Sequence, residues 1–348
     1  MYQIGIIGCG QISKVRHAPE YSKNPHCHLK AFYDGDTARA EAMAKLYGGT
    51  AYKSLEELLA CGLDAVSICV PNRLHCSYTV AALRAGCHVL CEKPMATNPE
   101  ECRSMVEAAE EAGKVLMIGH NQRYTPTHQK ARELIAEGRI GRVLSFRTTF
   151  GHGGPESWCG QQNPWFYDRS QARFGAMADL GIHKVDLIRY LTGQEITHVT
   201  AATATLDKTY ADSTPVDVDD NAFFILRLAS GAVGTVHASW TFYGGEDNST
   251  VLYGSEGSLH LYEDPAHSLV VHQKDGGVSR WDLDDIATNE GQKNGNSASV
   301  GIIDAFIRSI DTGEPSVSSG KEILRSMEAV FAADQAAQEG RTLALQVG

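Results

Sequence analysis

The chain has no run of about 18 apolar residues, the length a helix needs to cross a bilayer, so a transmembrane helix is excluded. It has no excess of positive charge. Lys and Arg number 31 against 42 Asp and Glu, a net −11, and such a surface repels phosphates, which argues against nucleic acid as the main partner. No cysteine follows Cys159, no Cys-x-x-Cys pair occurs, and the nine cysteines are an odd number. That pattern excludes a disulfide scaffold and lacks zinc-ligand spacing, so no metal is expected. Several cysteines sit in apolar runs, as in Ala65–Val70 and Val89-Leu90-Cys91, and read as reduced, mostly buried thiols of a cytoplasmic protein. Met1–Gly5 carries neither a basic region nor a small-residue cleavage site, so no secretory leader is expected. Internal repeats and low-complexity segments are missing as well. What remains is 348 residues with 43% hydrophobic and 21% charged side chains, enough for a sizeable core and, by length, two domains.

The first third alternates short β-rich runs with amphipathic stretches. Strands are predicted at Tyr2–Ile7, His28–Asp34, Ala65–Val70, His88–Cys91 and Val115–Ile118. Helices are predicted at Ile12–Tyr21, from the Asp36 cap to about Leu46, from the capping box Ser54-Leu-Glu-Glu57, at Ser77–Ala85 and at Pro99–Ala112, the last ended by Gly113. This alternation means an α/β, doubly wound parallel sheet. After Gly119 the pattern changes. A helix at Pro126–Glu137 and a strand at Val143–Phe150 lead into a Gly-, Pro- and Trp-rich loop, Gly151–Asp168, of the sort that covers a site. A helix at Ala178–Leu191 precedes an antiparallel meander between about Val199 and His272, and two helices, Ser299–Ile310 and Glu322–Gln338, close the chain. Asp207–Asp220 and Asp284–Asn296 read as exposed loops. The boundary falls near 120, giving domains 1–120 and 121–348.

Gly8-Cys9-Gly10-Gln11-Ile12-Ser13 follows a strand and opens a helix. Gly8 permits the tight turn, Gly10 lets the backbone approach a pyrophosphate, and the N–H groups at Gln11 and Ile12 face that anion. Asp34 closes the second strand, where its carboxylate accepts from ribose hydroxyls and repels a 2′-phosphate, favouring NAD. Arg39 keeps NADP open, since a guanidinium pairs a phosphate. Pro71, Asn72 and His75 lie at the carboxyl end of the fourth strand, and Glu92-Lys93-Pro94 at that of the fifth, the edge where open parallel sheets bind ligands. Lys93 is placed to stabilise charge on a substrate oxygen. Asp179-Leu-Gly-Ile-His183 sets a carboxylate and an imidazole at i and i+4, on one face if helical, and His183 is the natural acceptor for an alcohol proton. Structural alternatives stay open for each: a solvated Lys93, a capping Asp179 and a core His183.

Taken in order, the Gly-Cys-Gly-x-x-Ser turn, Val70-Pro-Asn-x-x-His75, Glu92-Lys-Pro94 and Asp179-x-Gly-x-His183 resemble the Gfo/Idh/MocA family of glucose–fructose oxidoreductase, inositol dehydrogenase and relatives. The resemblance covers essentially the whole chain. It implies an N-terminal Rossmann domain followed by an α+β domain with a large, mostly antiparallel open sheet, with NAD or NADP as cofactor and no catalytic metal. It assigns catalysis to Lys93, Asp179 and His183. It brings Asn121 and Arg123 to the nicotinamide or substrate, and offers Trp165 as aromatic surface for a sugar face. Family members are often dimers or tetramers packed through the large sheet. One departure is Arg173-Phe174-Gly175, where many members carry a glycine triplet.

The reading expected is therefore an NAD(P)-dependent oxidoreductase moving a hydride between nicotinamide and a secondary alcohol of a sugar, sugar derivative or cyclitol. Two alternatives are a redox-neutral glycosidase- or lyase-like enzyme that retains its NAD, and a non-catalytic dinucleotide-binding regulator.

Overall fold

The computed structural model describes residues 1–285 and 301–346. The chain divides into two compact units, Met1–His120 with Asn294–Leu324, and Asn121–Lys293 with Arg325–Gly348.

In the first unit, β1 (Tyr2–Ile7), β2 (Cys27–Tyr33), β3 (Thr50–Ala51), β4 (Ala65–Ile68), β5 (His88–Cys91) and β6 (Leu116–Ile118) form one parallel sheet in the order β3-β2-β1-β4-β5-β6. The order reverses between β1 and β4, which is the switch point of a doubly wound fold. Ile4, Ile6, Ile7, Val66 and Ile68 are fully buried, as strands covered on both faces require. Ser67 is buried among them, and its hydroxyl meets His17 Nδ1 at 3.0 Å and the Tyr21 hydroxyl at 2.9 Å. Two helices start where their predicted caps, Asp36 and Ser54, place them, and a third is capped by Asn98. Asp36 accepts from the Ala38 N–H at 3.1 Å, Ser54 from Glu57 at 3.1 Å, and Asn98 from Glu101 at 2.9 Å. The helix after the glycine turn widens into a π segment at Ser13–His17 before continuing as Ala18–Lys23.

A single boundary at 120 does not describe this unit, because a late segment returns to it. Ile118 donates its N–H to the Ser318 carbonyl at 2.9 Å, and Met117 bridges Ser319, so the edge strand β6 is partnered from beyond the second unit. The Tyr2 hydroxyl reaches Asp311 at 2.6 Å and the Asn24 amide reaches Asp304 at 2.8 Å, both on or beside the helix Ile302–Thr312.

The second unit is built on a nine-stranded sheet of β7 (Val143–Gly151), β8 (Ile196–Ala204), β9 (Asn221–Leu228), β10 (Val233–Ser239), β11 (Thr250–Gly254), β12 (Gly257–Asp264), β13 (His267–Gln273), β14 (Val278–Trp281) and β15 (Leu343–Ala344). Its order is β14-β13-β12-β11-β7-β10-β9-β8-β15. The meander is interrupted: β7 inserts between β11 and β10 and runs parallel to β10, while the other described pairs are antiparallel. Along β9, Ala222, Phe224, Leu226 and Leu228 are buried while Phe223, Ile225 and Arg227 face outward, the period-two pattern of a sheet with one covered face. Among the described residues no helix is long and apolar enough to cross a membrane.

Two of the expected loops need comment. Asp207–Asp220 is not wholly exposed, because Asp220 is buried and its carboxylate accepts N–H bonds from Leu206, Asp207 and Lys208 at 2.7–2.8 Å. Most of Asp284–Asn296, and the start of the helix predicted from Ser299, lie outside the described residues.

Candidate active site

The glycine turn sits at the carboxyl end of β1. Gly8 has φ +93°, and a Cβ there would meet the Cys69 carbonyl oxygen at 2.3 Å, so only glycine fits. A Cβ on Gly10 would meet nothing within 4 Å, which leaves open space before the helix that begins at Gln11, itself exposed, and Ile12. Asp34 faces this turn. One carboxylate oxygen accepts from the Cys9 N–H at 2.7 Å and the other from Asp36 at 2.8 Å. Asp34 is thereby fixed beside the turn with oxygen lone pairs to spare. A dinucleotide fits these residues: a helix N-terminus with space in front of it, and an oriented carboxylate acceptor at the end of β2. Arg39 pairs with Asp36 at 3.3 Å on the exposed first turn of its helix.

At the carboxyl ends of β4 and β5, Pro71 is half-buried and Asn72 buried, in a short 3-10 turn. His75 and Glu92 do not stand as cofactor contacts in the way expected. His75 is buried, its Nδ1 at 2.7 Å from the Pro94 carbonyl and its Nε2 at 3.0 Å from the Val70 carbonyl, so it ties the two loops together. Glu92 is buried too and pairs with His17 Nε2 at 2.9 Å. Burial raises its carboxyl, but the His17 bond and charge outweigh that and hold it down at about 2. Its other oxygen accepts the Lys93 N–H at 3.2 Å. Glu92 therefore orients the segment that carries Lys93, which is itself half-buried and precedes a cis peptide to Pro94. His17 was invisible to sequence reasoning because its partners, Ser67 and Glu92, lie 50 and 75 residues away.

In the second unit, Asp179 lies in a π segment, Met177–Gly181, that runs into the α-helix Ile182–Thr192, whose second residue is His183. The regular i, i+4 turn expected is thus replaced by a wider one, a distortion frequent at functional sites. The start of this helix is held by Asp219, whose two carboxylate oxygens accept from Gly175 at 2.8 Å and Met177 at 2.7 Å. Desolvation pushes the Asp219 carboxyl up to about 6 against the pull of those N–H groups. Arg173, where the glycine triplet is interrupted, takes φ +73°, a backbone glycine adopts without strain. Asp179 and His183 are both buried. The Asp179 Oδ2 accepts from Trp240 Nε1 at 3.1 Å, and His152 Nε2 lies 4.0 Å from the same oxygen. The His183 ring tilts against Phe150 at 5.7 Å between centroids. Next to it, Lys184 is fully buried and donates to the Asn248 carbonyl at 2.9 Å and the Thr250 hydroxyl at 3.3 Å. Desolvation lowers that amine to about 7, against the raising influence of Asp247 and Glu246.

Asn121 is half-buried at the head of a 3-10 turn. Arg123 departs from expectation. Its guanidinium is spent on Asp186, Nε to Oδ2 at 2.8 Å and Nη2 to Oδ1 at 2.7 Å, with both side chains 3% exposed and the guanidinium 5.3 Å from the Tyr190 ring. A bidentate, desolvated pair of this kind holds two elements together and leaves little reach for a substrate. Trp165 is half-buried, stacked on Phe166 at 3.9 Å, with Trp158 edge-on to Phe166 at 5.3 Å. His152, Trp240 and Asp219 are the residues near Asp179 that sequence reasoning missed. His152 lay in the Gly-, Pro- and Trp-rich loop read as covering a site but was not singled out, and the other two approach the helix from 42 to 61 residues away.

Comparison with known proteins bears on this arrangement. Residues 2–120 match the model of an oxidoreductase family with an NAD-binding Rossmann fold, and residues 128–260 match the GFO/IDH/MocA C-terminal domain. Inositol 2-dehydrogenase of Rhizobium meliloti is 30% identical over 99% of both chains. Levoglucosan dehydrogenase of Pseudarthrobacter phenanthrenivorans is 36% identical, over 57% of this chain and 55% of its own length. A solved levoglucosan dehydrogenase in complex with NADH superposes over 99% of both chains with a TM-score of 0.86 at 27% identity. The first unit is thus an NAD-binding Rossmann domain, and by both of its domains the chain belongs to the GFO/IDH/MocA family of oxidoreductases.

Proposed function

We propose that this oxidoreductase interconverts a secondary alcohol of a sugar or cyclitol and the matching ketone, with NAD. The observation that carries the reading is the buried pair Asp179 and His183 on one helix, with the Asp179 carboxylate oriented by Trp240. An alcohol must lose its O–H proton as its carbon is oxidised, and an imidazole is suited to take that proton near neutral pH. His183 is the base in this reading. Asp179 accepts hydrogen bonds from the polyol and fixes which hydroxyl is presented. Lys93 stabilises negative charge developing on the reacting oxygen. Bound NAD supplies the hydride acceptor, with Gly8, Gly10, Gln11, Ile12 and Asp34 holding its adenosine and pyrophosphate portion. Relatives named as dehydrogenases of inositol, levoglucosan and D-glucosides support net oxidation over redox-neutral chemistry.

Purified protein supplied with NAD and a panel of inositols, anhydrosugars and glycosides is expected to accumulate NADH with at least one of them. Cleavage of a glycoside without NADH build-up would overturn the reading in favour of a transiently oxidised sugar.

We also infer that the chain self-associates through the outer face of its large sheet. The strand register sets Phe223, Ile225 and Tyr253 on that face, 49%, 51% and 40% exposed, an apolar patch that costs free energy in water. The double variant Phe223→Glu with Ile225→Glu is expected to sediment as a smaller species than the unaltered protein. A monomeric unaltered protein would overturn the inference. The nine unpaired thiols fit a reducing, cytoplasmic setting.

A further inference from the structure

We propose that His152 is a positioning residue for Asp179, a second N–H donor aimed at its carboxylate beside Trp240. The proposal rests on the reading of Asp179 as the polyol acceptor given above.

The tautomer of His152 is set by its surroundings. The Gly154 N–H donates to His152 Nδ1 at 3.0 Å, so that nitrogen carries no proton and the ring is neutral, with its hydrogen on Nε2. Nε2 lies 4.0 Å from Asp179 Oδ2, the oxygen that already accepts from Trp240 at 3.1 Å. The ring is 6% exposed and stands edge-on to Phe150 at 6.1 Å, the same ring that His183 leans on.

The turn that presents His152 is itself built. Gly154 has φ +99°, and a Cβ there would meet the Glu156 carboxylate at 2.4 Å and the Lys208 stem at 2.9 Å. Lys208, also buried, donates to the Gly153 carbonyl at 2.7 Å and to Glu156 at 2.5 Å. Glu156 also accepts from the Tyr167 hydroxyl at 2.5 Å. His152's own N–H donates to the Ser239 carbonyl at 3.0 Å, one residue before Trp240. Both donors to Asp179 therefore hang on the same stretch of backbone, and their spacing is held by main-chain bonds. A gap of 4.0 Å is too long for a hydrogen bond, but such contacts tighten when substrate closes a site. A carboxylate held by two N–H donors at Oδ2 keeps one orientation toward the polyol.

His152→Phe keeps the ring and removes the N–H. His152→Gln keeps an N–H of similar reach. The Phe variant is expected to raise the KM for the alcohol roughly 10-fold, the size of a lost bond to a charged acceptor, with NAD affinity and Tm unchanged. The Gln variant is expected to recover most of that loss. Phe behaving like the unaltered protein, or Gln failing as badly as Phe, would overturn the proposal. Should the Phe variant not fold, 15N-imidazole spectra of the unaltered protein decide, since a His152 ring protonated on Nδ1 contradicts it. Failure of the underlying reading is separable: Asp179→Asn would then leave the KM for the alcohol unchanged, whatever His152 does.

Discussion

Replacing His183 by alanine is expected to lower turnover by about 10²–10⁴-fold, the span typical of losing a general base. NAD binding should survive, because the turn at Gly8 and the Asp34 carboxylate that would hold it belong to the first unit. The fold should survive as well. His183 is buried against Phe150, but the helix start is secured separately by Asp219, and Lys184 is bonded to the 248–250 segment. The measurement is single-turnover NADH formation at saturating NAD, with cofactor affinity determined in parallel by titration. An equal loss in kcat and kcat/KM marks an interaction made in the transition state, while a rise in KM alone would reassign His183 to substrate binding. Turnover matching the unaltered protein would remove the proton-transfer role altogether. Exogenous imidazole in the vacated space should restore part of the rate if proton acceptance is what was lost.

The largest effect on stability is expected at Asp186. Asp186→Ala removes the bidentate carboxylate partner of a guanidinium that is 3% exposed, and it removes the acceptor to which the Ser326 hydroxyl donates at 2.6 Å. Removing one partner of a buried ion pair costs about 3–5 kcal/mol, which for a unit of this size lowers Tm by on the order of 10 °C. Thermal unfolding followed by circular dichroism measures it, and a Tm within about 2 °C of the unaltered protein would contradict the assignment. Arg123→Met combined with Asp186→Leu should regain most of the loss, because a buried pair is often replaceable by well-packed apolar side chains. That double variant also settles Arg123. An unchanged KM for the alcohol leaves it a structural residue, whereas a large rise restores the substrate contact expected from the sequence.

The parts legible in the sequence are those decided locally. Asp36 and Ser54 cap the helices they were expected to cap, since a capping bond spans two or three residues. Ala65–Val70 reads as a buried strand from composition alone, and Ala65–Ile68 of it forms β4. The glycine turn and Asp34 come together as expected because strand, turn and second strand form one continuous βαβ unit. What stayed hidden depends on pairing across long separations. Strands of two residues, β3 and β15, exist only because a neighbour supplies their partners. The insertion of β7 beside β10 follows from no local pattern. The π segments at Ser13–His17 and Met177–Gly181 carry ordinary helix-forming sequence, and packing sets their wider hydrogen bonding. Arg123 was recognised as chemically significant, yet its partner Asp186 lies 63 residues on. His152 faces Asp179 only once the sheet has brought Ser239 and Trp240 beside it.

The segment that returns to β6 has a consequence for how the protein is made. The first 120 residues leave the ribosome with an edge strand whose N–H and carbonyl groups at Met117 and Ile118 meet Ser318 and Ser319 only after some two hundred further residues have been synthesised. During that interval the nascent cofactor-binding unit carries an unpaired sheet edge, a template for association with another unfinished chain. Cutting the gene at residue 120 makes that interval permanent. The isolated first unit should be recovered in folded form only when 301–324 is supplied with it, fused or in trans.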